Sequence, residues 1–168
     1  ELYVSIKTLG DKTYYAQFEK ITVDYTVSFK YTDDSEALTT VTKALADSED
    51  YVLSATDVKD VEHNVAPTDY EFLGWTEAKD GTGTVYTSAE LQVSIKTLGG
   101  KTYYAQFKKV TDNYSVAFKY TDGTEALATV TKTLAPSEDY TLTAADVKDV
   151  EFHTNPGDYE FLGWTDTI

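Results

Sequence analysis

Few side chains in this sequence could do acid–base or covalent chemistry, and their spacing argues against it. There are two histidines, His63 and His153. The chain repeats itself at an offset of 89 residues, and at that offset His63 aligns with Phe152 and His153 with Asn64. No histidine therefore holds the same place in both copies, which excludes a repeated histidine site. Nucleophilic catalysis needs a base beside the nucleophile and a third group orienting that base. Ser and Thr are abundant, but no glycine-flanked nucleophile elbow appears. The sequence reads as a non-enzyme: no catalytic residue, cofactor site or metal site is assigned. The nearest approach to a ligand set is Asp57, Asp60 and Glu62, returning as Asp146, Asp149 and Glu151. Calcium takes about six to eight oxygens, and no D-x-[DN]-x-[DN]-G loop is present. A solvated helix face is the simpler reading. Trp75 and Trp164 have the shape to stack on a sugar, but a bulky ring in a strand is more often core. Tyr15, Tyr51, Tyr70 and their equivalents offer contact area for a protein or glycan. Asn64, Asn113 and Asn155 align with no second Asn. A Lys–Asn isopeptide bond common to all copies is thereby excluded.

Composition sets the class. Hydrophobic residues make up 41% and aromatics 14%, enough for folded cores rather than a disordered chain. Fourteen basic residues, all Lys, face 29 acidic ones, for a formal charge of −15. Such a chain repels phosphate backbones and acidic lipid surfaces, so no nucleic acid is expected as a partner. No apolar run approaches the ~20 residues of a membrane span, so no membrane insertion is expected. Cys and Met are absent, which removes disulfides and thiolate sites. This composition suits work outside a bacterial cell. With no starting Met and no leader pattern, the chain reads as an excerpt of a longer protein.

The elements that must position these residues come in two copies. "ELYVSIKTLGDKTYYAQF" at Glu1 returns as "ELQVSIKTLGGKTYYAQF" at Glu90, and "DYEFLGWT" at Asp69 returns at Asp158. About 55 aligned pairs are identical, without a gap. A period this long exceeds helical solenoid units of roughly 20–50 residues, so each unit has room for its own core. In "YTVSFKY", Tyr25, Val27, Phe29 and Tyr31 share one face, the mark of a half-buried strand. "ALTTVTKAL" is ambiguous: Leu38, Val41 and Leu45 fit a helical stripe, but the preceding turn and the Thr and Val content favour a second strand. "SATDVKDVEHNVAP" spaces Val58, Val61 and Val65 at i, i+3, i+7, with Ser54 as cap and Pro67 as stop. That predicts a short amphipathic helix. "DYEFLGW" reads as a third strand with a bulge or close contact at Gly74. Thr87 and Glu90 predict a capped turn. "KTLGGKTYYAQF" reads as a turn and a closing strand, with Tyr103, Ala105 and Phe107 on one face.

The order ββαββ describes an α+β fold: tandem β-grasp-like modules, each a mixed sheet with one short helix packed across it. The residues Tyr25, Val27, Phe29, Phe72, Gly74, Trp75, Gly83, Tyr86, Tyr104, Ala105 and Phe107 carry a resemblance over essentially the whole chain. The pattern Y-x-V-x-F, F-x-G-W, G-x-x-Y and a closing Y-A-x-F resembles the Listeria–Bacteroides repeat, the B-repeat of internalins. The closing aromatic is Phe where Trp also occurs in that family, and the middle segment carries a clearer helix pattern than the shorter family members. The resemblance implies β-grasp-like modules in tandem on bacterial surface proteins, often adhesins or cell-wall proteins. Its phase makes 25–107 a complete repeat, 1–18 the C-terminal part of a preceding one, and 114–168 the start of a following one lacking its last strand. "EKITVD" (19–24) and "KKVTDN" (108–113) are then six-residue linkers. The alternative phase divides the chain into 1–89 and 90–168. The expected role is an extracellular spacer or stalk module at the bacterial cell surface. The alternative role is a binding module touching a host glycoprotein or glycan through exposed Tyr or Trp. Expected partners are adjacent repeats of the same protein. Head-to-tail chain contacts by strand complementation also follow from the family phase.

Overall fold

The computed structural model describes residues 4–166. The fold is α+β, with most regular structure in strands and only short helices. Six strands form among the described residues: β1 (Val23–Lys30), β2 (Glu36–Leu45), β3 (Tyr70–Thr76), β4 (Thr102–Lys109), β5 (Asp112–Lys119) and β6 (Glu125–Leu134). The first four make one mixed sheet in the order β2-β1-β4-β3, and β5 and β6 make a second sheet. The pairs β1/β2 and β3/β4 are antiparallel, and β1/β4 is parallel. The parallel register sets Ser28 against Thr102, Phe29 against Tyr103 and Lys30 against Tyr104.

Alternation builds the core as the strand pattern requires. Val27, Phe29, Tyr103 and Ala105 are buried from the two central strands, and Trp75 is buried from β3. Phe29 meets Trp75 edge-on at 5.1 Å and stacks on Tyr103 at 5.8 Å. Leu53, Val58, Leu91, Ile95 and Leu98 close the core from the connecting segments. The outer face of the β1/β2 hairpin is polar, with Thr26 bonded to Thr42 (3.0 Å) and Ser28 to Thr40 (3.2 Å).

The expected helix over 54–66 does not form. One capped turn forms instead: the Ser54 N–H and hydroxyl both donate to Asp57 Oδ2 (2.8 and 2.6 Å), and Val58 N–H reaches Ser54 O (3.0 Å). Tertiary partners hold the rest of the segment instead. The Tyr31 hydroxyl donates to the Glu62 carbonyl (2.9 Å), and Asp60 accepts from Ser88 (2.6 Å). The three valines share no face: Val58 is fully buried and Val65 is 81% exposed. β-Branched residues add little helical propensity of their own. Asp57, Asp60 and Glu62 are therefore on a loop, not on a helix face. The helix packed against the sheet is a single turn, Ile95–Leu98, in the stretch expected to be part of a turn. Ser94 caps it by accepting from Lys96 N–H (3.2 Å). The Thr87–Glu90 turn forms with the reciprocal bonds of a capping box.

The second copy repeats the capped turn, and here pH should reach it. Asp146 accepts from the Tyr140 hydroxyl, then from the Thr143 hydroxyl and N–H (2.7, 2.7 and 2.8 Å). These bonds, the tyrosine's first, stabilise the charged carboxyl and lower its pKa from 3.8 to about 2. A lowered folded-state pKa means that the stabilisation is present above the ordinary value and is lost as pH falls through about 2. Carboxyl-carbon NMR titration should place the Asp146 midpoint near 2, with the Thr143 amide signal moving in step. A midpoint in the ordinary carboxylate range would show that these bonds do not hold.

Candidate interface between successive copies

Among the described residues, those singled out for chemistry meet only in pairs, such as Tyr51 with Asp57 (2.9 Å), and not in one site. His63 stacks on Tyr70 at 4.1 Å, whereas His153 lies 3.0 Å from Asp122 in the second copy. Among the described residues, no three His, Cys, Asp or Glu side chains are grouped to hold a metal. Trp75 is buried, and its Nε1 donates to Ser88 Oγ (3.1 Å), so it offers no ring face to solvent. Tyr51 and Tyr140 are each covered by a lysine, with Lys43 Nζ at 4.1 Å and Lys132 Nζ at 4.0 Å from the ring centroids. Tyr15 is 78% exposed.

The structure instead concentrates specific polar contacts where one copy meets the next. Strand β4 runs on to Lys109 and β5 begins at Asp112, so the expected six-residue linker shrinks to Val110 and Thr111. Lys108 and Lys109 are already paired with Glu71 and Tyr70, and Asp112 and Asn113 with Leu134 and Thr133. The same holds at 19–24, where Val23 and Asp24 belong to β1.

Across this short connection sits a latch. Asp69, in the single helical turn before β3, accepts from Ser137 through both carboxylate oxygens: Oδ1 from the N–H (2.9 Å) and Oδ2 from the hydroxyl. The Asp69 carbonyl accepts from Val110 N–H (2.8 Å). Lys109 pairs with Glu138 (2.6 Å), whose other oxygen accepts from Ala135 N–H (2.8 Å). The Ser137 hydroxyl is the main cause holding the Asp69 carboxyl below its ordinary range, its amide adds to this, and desolvation opposes it.

Burial follows the latch. Asp69 is 5% exposed, whereas its equivalent Asp158 is exposed. Ala135 is 2% exposed, whereas its equivalent Ala46 is half-buried. Half of the same arrangement recurs at the start of the chain, where Lys20 pairs with Glu49 (2.5 Å) and Glu49 accepts from Ala46 N–H (3.0 Å). Sequence reasoning passed over these residues by treating 108–113 as linker. A signal was present: Lys20/Lys109, Ser48/Ser137, Glu49/Glu138 and Asp69/Asp158 are identical in both copies, although none is an apolar residue that a core would require.

Comparison of the chain with protein-family models, curated proteins and solved structures found no match.

Proposed function

We propose that the chain is part of a tandem array of β-grasp-like modules serving as a spacer or stalk in a bacterial cell-surface protein of the adhesin type. One observation carries this reading: a two-residue connection with polar contacts on both sides, which fixes one copy against the next. A flexible tether has no use for such contacts; a spacer that must hold its length does. The sheet supports the same reading. β1 and β4 are adjacent and parallel, so the chain enters at one end of the sheet and leaves at the other. The register separates those ends by roughly twelve residues, or about 40 Å at ~3.3 Å per residue. Tandem copies then add length instead of folding back. A charge of −15 keeps neighbouring arrays apart and in solution.

The latch gives the test. The chain has no cysteine, so Thr84→Cys and Ala128→Cys place spin labels on exposed positions of the two copies without interference. Electron–electron resonance should find one narrow distance population. Asp69→Ala with Ser137→Ala should broaden it while each copy keeps its own fold. The Asp69 carboxyl is lowered by docking, so the narrow population should hold above the ordinary carboxylate range and fade as pH falls below it. A broad distribution in the unsubstituted background would sink the stalk reading.

A further inference from the structure

Strand β2 is an outer strand of the four-stranded sheet, paired with β1 on one side only among the described residues. A groove of about 760 Å³ runs along residues 37–43, with Thr56, Lys59 and Glu62 on its far wall. The fold therefore leaves room beside this edge instead of covering it. An outer strand carries unpaired N–H and C=O groups, a template for a strand from another molecule. Its sequence strengthens the template, because Thr and Val suit extended pairing. The second copy presents the same edge, as "ALATVTKTL" in β6 where β2 has "ALTTVTKAL". The edge is open in the copy whose sheet has all four strands, so it is a property of the module itself.

Within this edge the strand is not regular. Val27 faces Val41, Phe29 faces Leu38 and Lys30 faces Glu36, with a register shift in each interval. The stretch of β2 from 36 to 41 is thus longer than the stretch of β1 from 27 to 30 that it pairs with, and the surplus bends β2. Thr40 is left without a partner in the β1 register. Its N–H donates to Glu36 Oε1 (3.0 Å). Four residues of regular strand cover about 13 Å, beyond the reach of one glutamate side chain, so the bend is what lets this bond form. The second copy repeats the device: the same two shifts interrupt β5/β6, and Thr129 N–H donates to Glu125 Oε1 (3.2 Å). Both glutamates are exposed, and among the described residues neither forms an ion pair.

We propose that Glu36 and Glu125 guard the outer edges of β2 and β6 against pairing with the same edge of a second copy of the chain. The carboxylate occupies the amide that the carbonyl of an incoming strand would take. It also sets a negative charge where the partial negative charge of that carbonyl has to come. Bend and guard act together: the bend breaks up a flat edge, and the glutamate removes the donor that the bend leaves over. The strand kept out is a second β2, because a two-fold axis sets β2 antiparallel to the same strand of another molecule, so one edge supplies both sides of the contact. None of this depends on a stalk role.

Light scattering on the full chain in high salt, where repulsion between the acidic chains is screened, tests the guard. Glu36→Ala should associate with itself at least about tenfold more tightly than the parent, the size expected for one charged hydrogen bond. Glu36→Gln keeps an acceptor for the Thr40 N–H and should behave like the parent. Residue 36 is exposed, so both variants should keep the parent's unfolding transition. A nitroxide on Thr39→Cys, an exposed position of β2 in a chain without cysteine, should broaden as the mass rises, and only in the Glu36→Ala background. In the monomer, amide hydrogen exchange at Thr40 should be at least about tenfold faster in Glu36→Ala than in the parent. A Glu36→Ala chain that associates no more than the parent overturns the proposal, as does unchanged exchange at Thr40. Association without broadening at residue 39 overturns it too, because another surface is then responsible. Association of Glu36→Gln equal to that of Glu36→Ala would show that occupying the amide is not what closes the edge.

Discussion

Replacing Gly74 by alanine should cost about 3–5 kcal/mol and bring the four-stranded sheet close to unfolding at room temperature. Two independent penalties combine. Gly74 has a φ of 138°, a conformation essentially reserved for glycine, and forcing a side chain into such a region costs about 1–3 kcal/mol. A Cβ there would also sit 2.6 Å from the Tyr86 carbonyl oxygen and 2.7 Å from Val85 Cγ1. The carbonyl cannot withdraw. Trp75 N–H donates to Tyr86 O and Tyr86 N–H donates to Trp75 O, both at 2.8 Å, so moving the carbonyl breaks a paired bridge beside the largest fully buried ring of the core. Overpacking a fixed site costs a further ~1–3 kcal/mol. Small domains have only about 5–15 kcal/mol in total. Urea unfolding followed by circular dichroism should show the midpoint falling steeply at unchanged slope. The equivalent Gly163→Ala is the control. Its φ is 126°, but a Cβ there meets nothing within 4 Å, so only the backbone penalty applies. If both substitutions cost the same, contact with Tyr86 is not what demands glycine.

The strand pattern was legible because it depends on the segment itself. In β1 the alternation of Tyr25, Val27 and Phe29 is satisfied by one buried face, and the same residues point inward in the structure. Gly74 was legible as a close contact because a glycine inside an aromatic strand gives up packing area, which is tolerated where another backbone must come near. The helix over 54–66 was misread for a reason periodicity cannot supply. Its spacing of valines is genuine, but Tyr31 lies 31 residues before the Glu62 carbonyl that it captures. "DYEFLGWT" states the limit most directly. The letters at 158–165 repeat those at 69–76, yet only the first set contains a strand, because strand state here belongs to the pair and not to the segment. The latch was harder to read. Asp69 and Ser137 are common surface residue types, and their meeting depends on a connection of two residues that propensity alone reads as longer.

Trp75→Ala should be the costliest truncation in the chain, at about 3–5 kcal/mol, while Trp164→Ala should cost under about 1 kcal/mol in the monomer. The two tryptophans share identical flanking residues from Asp to Thr, so sequence context cannot separate them. Their surroundings do. Trp75 is fully buried, with Phe29 and Phe72 edge-on at 5.1 and 5.4 Å. Its Nε1 begins a relay that runs from the buried indole through buried Ser88 to exposed Asp60, at 3.1 and 2.6 Å. Removing the indole empties a large volume and leaves Ser88 without one partner. Trp164 is half-buried, keeps only Phe118 and Phe161 as ring partners, and has no acceptor for its N–H among the described residues. Denaturant unfolding at low protein concentration should show the first substitution collapsing the main transition and the second leaving it in place. Equal losses for the two variants would mean that burial of the indole is not what separates the two rings.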